Sequence, residues 1–352
     1  MNPEGRSQPL RGQSDPARSL DQAERLRRMV GAPSDCPGAA FGNRVAGLAG
    51  FTAVPVIPAG EARLAGATTD PIATEAPRPR ALRLARAIAI SSGKGGVGKT
   101  NLAVSLAVAF AERGARTALL DADLGLANAD VLCGITPRAT LEDVVTGERR
   151  LDEVMVHAPG GFRLVPGASG VSRLADLGSA QRRLVLEQLL SLERGLEFLL
   201  IDTGAGIGAN SMTFAAAAHS VLVVCTPEPT SIADAYGAIK TLVARGAAEQ
   251  LQLVVNMASS AEEARAVHAR IDRVARTFLG ARIALAAAIP IDPSVPAAVR
   301  RREPVLLFAP QSPAAMAIRR LAARLAGESA SPRLEEARSG FLARLSGLLR
   351  RR

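Results

Sequence analysis

The sequence predicts an α/β domain built on a doubly wound, mostly parallel sheet flanked by helices. Three observations carry that expectation. From about residue 84, short apolar runs alternate with longer stretches of helical period, the pattern of strands joined by crossover helices. A glycine-rich turn separates the first apolar run from the first amphipathic stretch. Two later runs end in aspartate, Asp121 and Asp202, at the carboxyl edge where doubly wound sheets bind their ligands.

Taken in order, residues 1–18 are polar and contain Gly and Pro, the composition of a disordered terminus. Residues 19–30 read as a short helix, with Ser19 and Gln22 as a capping box and Ala23, Leu26 and Val30 on one stripe. Residues 31–83 are rich in Pro, Ala and Gly without sustained period and read as a flexible linker, which tethers that helix to the α/β domain. The α/β domain is expected over 84–327. Its strands are placed at 87–91, 117–121, 162–165, 198–202, 221–225, 251–256 and 283–289. Helices are placed at 100–113, 141–146, 179–192, 211–218, 232–244, 261–278, 295–301 and 313–326. A Gly/Ser/Pro break at 327–332 precedes a last segment, 328–352, whose helical pattern runs from 334 to the end.

Composition excludes several classes. In 352 residues no apolar run approaches the roughly 20 needed to span a bilayer, and the first thirty lack a hydrophobic signal core, so a cytoplasmic location is expected. Cys36, Cys133 and Cys225 lie far apart with no CxxC spacing, which argues against a disulfide framework and a cysteine metal site. The net charge of +10 raises nucleic-acid binding, but residues 329–352 alone carry six Arg against Glu335 and Glu336. With one Tyr and no Trp there is also little to stack on bases, so nucleic acid is not the expected partner. Of 43 basic residues only Lys94, Lys99 and Lys240 are lysine. Two of those three share one loop, which suggests that a compact ammonium is needed there.

That loop, Gly93-Lys94-Gly95-Gly96-Val97-Gly98-Lys99-Thr100-Asn101, contains a complete G-x4-G-K-[ST] phosphate-binding motif between a strand and a helix. Its glycines let backbone N–H groups face the phosphates, and the helix adds its positive end. Lys99 is expected to reach the β- and γ-phosphates of ATP, and the Thr100 hydroxyl to ligate Mg²⁺. Asp202 occupies the position of a Walker B carboxylate holding the Mg²⁺ shell, and Asp123 lies just beyond the neighbouring strand edge. Either acid on its own fits a helix cap equally well.

The loop with its additional Lys94, the segment DADLGLAN (121–128) and the segment IDTGAG (201–206) together resemble the deviant Walker A ATPases of the MinD/ParA class, over residues 84–327. The resemblance implies a SIMIBI-class, MinD-like P-loop NTPase in which ATP closes a face-to-face homodimer. It implies that Lys94 reaches across to the partner's nucleotide and that Asp123 positions the attacking water, contributing as a further group around Mg²⁺. Asp121, Asn128 and residues 204–206 fall in the switch regions. Asn256, Pro290 and Asp292 match adenine-recognition positions, although ordinary strand-end turns explain them as well.

The flanks narrow the resemblance. DQAERLR, with Asp21, Gln22, Ala23, Leu26 and Arg27, is similar to the N-terminal motif of the FlhG (FleN, YlxH) regulators of flagellar number and placement. In that family the helix docks on the FlhF-type signal-recognition GTPase and stimulates it, Gln22 being the residue expected to enter the partner's site. Flagellar basal-body switch proteins and a transcriptional activator are further partners the family suggests. At the other end, Phe341, Leu342, Leu345, Leu348 and Leu349 form one apolar stripe beside arginines. The segment resembles the family's membrane-targeting tails, which bind anionic lipid peripherally at the inner face of the cell membrane. A Leu stripe alone does not distinguish lipid from protein core, and packing on the domain stays open.

Other readings find less support. A ParA/MinD-type protein positioning DNA or division machinery uses the same loop. An iron–sulfur carrier needs cysteines at a shared face, and a tyrosine-kinase relative needs more than Tyr236.

Overall fold

The computed structural model describes residues 84–123, 128–167, 179–328 and 340–350, with the side chains of 179–186, 328, 349 and 350 left aside. The expected N-terminal helix, with Asp21 to Arg27, and the linker lie outside the described residues, as does the side chain of Leu349.

The strands are β1 (Arg86–Ser91), β2 (Thr117–Ala122), β3 (Val156–His157), β4 (Arg163–Val165), β5 (Phe198–Thr203), β6 (Ser220–Cys225), β7 (Leu251–Ala258) and β8 (Ala284–Pro290). They form one sheet in the order β3-β4-β2-β5-β1-β6-β7-β8, parallel throughout except that β3 runs antiparallel to β4 at the edge. The helices are α1 (Lys99–Glu112), α2 (Ala129–Leu132), α3 (Leu141–Thr146), α4 (Leu151–Val154), α5 (Ser179–Arg194), α6 (Ala209–Ala217), α7 (Pro229–Ala244), α8 (Ala261–Leu279), α9 (Ser294–Arg301), α10 (Val305–Phe308), α11 (Pro313–Glu328) and α12 (Phe341–Arg350). The expected elements recur within a few residues, and the additions are single-turn helices and the short β3.

The central strands are buried on both faces, which is why they read as continuous apolar runs rather than alternating ones. Ile88, Ile90, Leu119, Leu200, Leu222 and Val254 join one cluster with α1 and α11. The intervening Ala87, Ala89, Ile201, Val221 and Val223 are equally buried, and α6 covers that side of β1 and β5. Helix α1 is enclosed nearly all round, from Leu102 to Phe110, because it lies between the sheet and α11; Phe110 stacks on Phe198 with ring centroids 4.1 Å apart. At the switch point, β1 has β5 on one side and β6 on the other, so the loop after β1 opens between the ends of three strands.

The last helix packs on the domain, the alternative that its apolar stripe had left open. Phe341, Leu342 and Leu345 are buried and Leu348 is half-buried, against α6 and α5. The Phe341 ring lies 6.4 Å from that of Phe214. Glu193 on α5, itself fully buried, accepts the Phe341 N–H at 2.7 Å and that of Leu342 at 3.5 Å, satisfying donors that a helix N-terminus otherwise leaves open. The helix is described from Phe341, and the expected start at 334 lies outside the described residues.

Candidate functional site

The loop leaves β1 at Ser91, and Gly98 caps α1 in a left-handed conformation, φ 90° and ψ 22°. That geometry excludes ordinary residues at low cost. A Cβ at Gly98 would also fall 2.4 Å from Nδ2 of Asn256, whose amide donates to the Val97 carbonyl at 2.8 Å. Asn256 thus braces the phosphate loop from the end of β7. Gly98→Ala is expected to weaken ATP binding roughly five- to thirtyfold, from the left-handed strain and the displaced Asn256. Titration with a fluorescent ATP analogue checks this, and unaltered affinity would show that the loop adapts.

Lys99 begins α1 and is buried, only 7% exposed. Burial pulls its pKa down, while the negative charges of Asp202 and then Asp123 pull it back up and favour the ammonium. The Thr100 hydroxyl lies near enough to the Asp202 carboxylate to favour its charged form. Asp202 is 1% exposed at the end of β5, and its Oδ1 has no hydrogen-bond partner among the described residues. A buried carboxylate oxygen without a donor is costly unless a cation completes it. With the adjacent Thr100 hydroxyl it offers the hard oxygen donors that Mg²⁺ prefers, so these residues fit the expected ion.

Asp121 lies beside Asp202 in the register of β2 and β5. Burial pushes Asp121 up to about 6, against the backbone N–H groups that stabilise its charge. Burial, and next the charge of Asp121, push Asp202 up to about 7. Two neighbouring buried acids resist ionising together until positive charge arrives. Asp121 accepts the N–H groups of Asp123, Asn128 and Ala129, each at 3.1 Å, and so ties down the two ends of the loop after β2. Asp123 follows at the sheet edge with its carboxylate against the turn after β5: a Cβ at Gly204 would lie 3.1 Å from Asp123 Oδ1.

Lys94 stands apart from this cluster. Its ammonium lies 2.9 Å from Glu228 Oε2 and 3.0 Å from Thr230 Oγ1 at the start of α7, with the side chain 38% exposed. Neither partner was expected from sequence; Pro229 at the first helical turn marks position 228 as a cap but does not say what faces it.

A cleft of about 890 Å³ adjoins the loop, lined by Asn101, Thr226, Glu228, Asn256, Met257, Pro290, Ile291 and Asp292 among others. Its size suits a nucleoside, and it gathers all three expected adenine positions. Asp292 serves it differently from the expectation. The Asp292 carboxylate accepts Ser294 N at 2.8 Å and Ala314 N at 2.9 Å, so it caps α9 and α11 and shapes the wall. Those bonds hold its charge against burial, leaving the pKa below the usual carboxylate range.

A glycine-rich loop opening a helix, a buried ammonium and a buried carboxylate oxygen without a donor, set beside a nucleoside-sized cleft, are the parts that a nucleoside-triphosphate site requires. The profile of the ParA family, described as NUBPL iron-transfer P-loop NTPase, matches residues 83–326. The chain belongs to the ParA family. Antiactivator FleN of Pseudomonas aeruginosa is 42% identical over 238 residues, covering 68% of this chain and 85% of that one. Flagellum site-determining protein YlxH of Helicobacter pylori is 38% identical over 192 residues, covering 54% of this chain and 64% of that one, slightly under two thirds of its length. Among solved structures, MinD of Aquifex aeolicus aligns at TM-score 0.57 and 28% identity, covering 70% of this chain and 99% of that one. The Pyrococcus horikoshii MinD complexed with Mg-ADP shares the fold at TM-score 0.57 and 24% identity, covering 70% and 98%.

This ParA-family chain is therefore a MinD-like P-loop ATPase of the FlhG/FleN (YlxH) group. Cys133 and Cys225 are buried, which pushes each thiol up to about 12.

Proposed function

We propose that ATP closes this ATPase into a face-to-face homodimer, that dimerisation brings it to the inner face of the cell membrane, and that the dimer stimulates an FlhF-type GTPase through residues 19–30. One observation carries the dimer: two lysines of one loop have opposite surroundings. Lys99 is buried, within electrostatic reach of Asp202 and Asp123, the position from which it would meet its own nucleotide's β- and γ-phosphates. Lys94 stands at the surface on Glu228 and Thr230, available to a second copy.

In this reading Thr100 and Asp202 would hold Mg²⁺, which would supply positive charge to neutralise the phosphates. Asp123 orients the attacking water, and Lys94 supplies charge at the partner's phosphates as an arginine finger does elsewhere. The membrane step requires α12 to leave its groove. Its stripe then faces lipid, each nearby arginine adding about 1 kcal/mol on an anionic surface. One such helix binds weakly, whereas two in a dimer bind by avidity, so ATP governs membrane residence. Hydrolysis returns the monomer to the cytosol. Flagellar basal-body switch proteins and a transcriptional activator are the further partners this reading includes.

The test has two arms. Pelleting with anionic liposomes, with and without ATP, is expected to bring down the protein only with ATP; ATP-dependent binding to DNA without binding to liposomes would replace this reading by a ParA-type one. A peptide of residues 15–35 is expected to raise GTP hydrolysis by an FlhF-type GTPase, and a Gln22→Ala peptide to fail. No stimulation by the native peptide would sink the role given to Gln22.

A further inference from the structure

We infer that Glu228 and Thr230 form a clasp that holds Lys94 within its own protomer, a brake that must open before the lysine can serve a second copy. The inference rests on the trans role proposed for Lys94. Its basis is geometric. The ammonium has two acceptors, at 2.9 and 3.0 Å, one on the residue that precedes α7 and one in its first turn, both more than 130 residues away in sequence. Glu228 is the N-cap residue of α7, yet its side chain makes no cap hydrogen bond to that helix. A carboxylate at a helix N-terminus is favoured by the positive end of that helix whether or not it caps an N–H. Its carboxylate is therefore free to reach Lys94.

The loop and α7 are also fixed relative to one another. Gly93 lies so close to α7 that a Cβ there would fall 1.9 Å from the Asp234 carbonyl oxygen. Ser92 Oγ donates to the Lys94 carbonyl at 2.6 Å, which sets the backbone from which the lysine departs. The clasp is therefore built between two rigid supports, with only side chains free to move. Glu228 lines the nucleoside-sized cleft as well, so an arriving nucleotide meets one jaw of the clasp.

An ion pair this exposed, 38% and 64% for the two side chains, is weak and easily exchanged. A brake needs that property: a small bias toward the monomer that a triphosphate's larger negative charge overcomes. Lysine suits the exchange, because a compact ammonium changes acceptors without the planar alignment that arginine requires.

The experiment uses the full chain. Since it contains three lysines, ¹³C-lysine labelling gives three Cε resonances to assign. In the nucleotide-free protein Glu228→Gln is expected to move the Lys94 resonance and leave that of Lys240 in place. An unmoved Lys94 resonance overturns the clasp. Light scattering against increasing ATP with Mg²⁺ then reads dimer formation. Glu228→Gln is expected to lower the ATP needed for half-dimerisation roughly two- to fivefold, the range set by an exposed pair, with Thr230→Val smaller in the same direction. An unchanged or raised requirement in Glu228→Gln overturns the brake, and if Lys94→Ala abolishes dimerisation in the same series the trans role stands without it. Lys94→Ala dimerising as the native protein does would instead remove the trans role and the brake together.

Discussion

Asp123→Ala is expected to lower ATP turnover roughly 10²–10³-fold while leaving ATP binding and ATP-induced dimerisation in place. Asp123 is set one residue beyond β2, with its carboxylate against the Gly204 turn and close enough to Lys99 to act on its charge. It thus adjoins the phosphate site without being built into the loop that binds phosphate. The neighbouring Asp121 provides the contrast. Its carboxylate anchors the N–H groups of Asp123, Asn128 and Ala129, so Asp121→Ala should disturb the placement of the whole segment and weaken binding together with turnover. Phosphate release measured beside ATP-dependent mass separates the two. Unchanged release in Asp123→Ala would take the residue out of the mechanism.

The second large effect concerns α12. Phe341→Ala should cost about 3–5 kcal/mol of docking, since it removes a ring that is 1% exposed and meets Phe214. A helix of ten residues has little stability of its own, so the loss should appear as detachment of α12 rather than as unfolding of the sheet. Hydrogen exchange should rise over 341–350 while β1, β5 and β6 stay protected; equal loss of protection in the central strands would show that α12 is integral to the fold. Glu193→Ala probes the same contact with the apolar stripe intact. It deprives the Phe341 and Leu342 N–H groups of their buried acceptor, and under the proposed membrane role it should bind liposomes without ATP. If it stays in solution with α12 released, the stripe is not a lipid anchor.

Much of the fold was legible because its signals are local. The strands of a parallel sheet are continuous apolar runs, and the expected 198–202 and 261–278 return as Phe198–Thr203 and Ala261–Leu279. The elements missed, α2, α4, α10 and β3, have four residues or fewer and so carry no period to read. The phosphate loop was legible for a similar reason. Its glycines, Lys99 and Thr100 are consecutive, and their chemistry depends on a single strand-turn-helix unit.

The α/β class, the phosphate loop and the two acidic strand ends were readable from the chain alone, because each depends on backbone conformation and spacing within a few residues. Which residues meet across the fold is a matter of tertiary structure. Strand order puts Asp121 beside Asp202 and brings Glu228 to Lys94 across 134 positions. It also turns Asn256 and Asp292, which lie at strand ends, into a brace for the loop and a cap for two helices. The last helix shows the division most clearly. Burying an apolar stripe stabilises by nearly the same amount in a protein groove as in lipid, so its pattern is silent between them. The groove beside Phe214, and the Glu193 carboxylate at its end, exist only once distant segments have folded together.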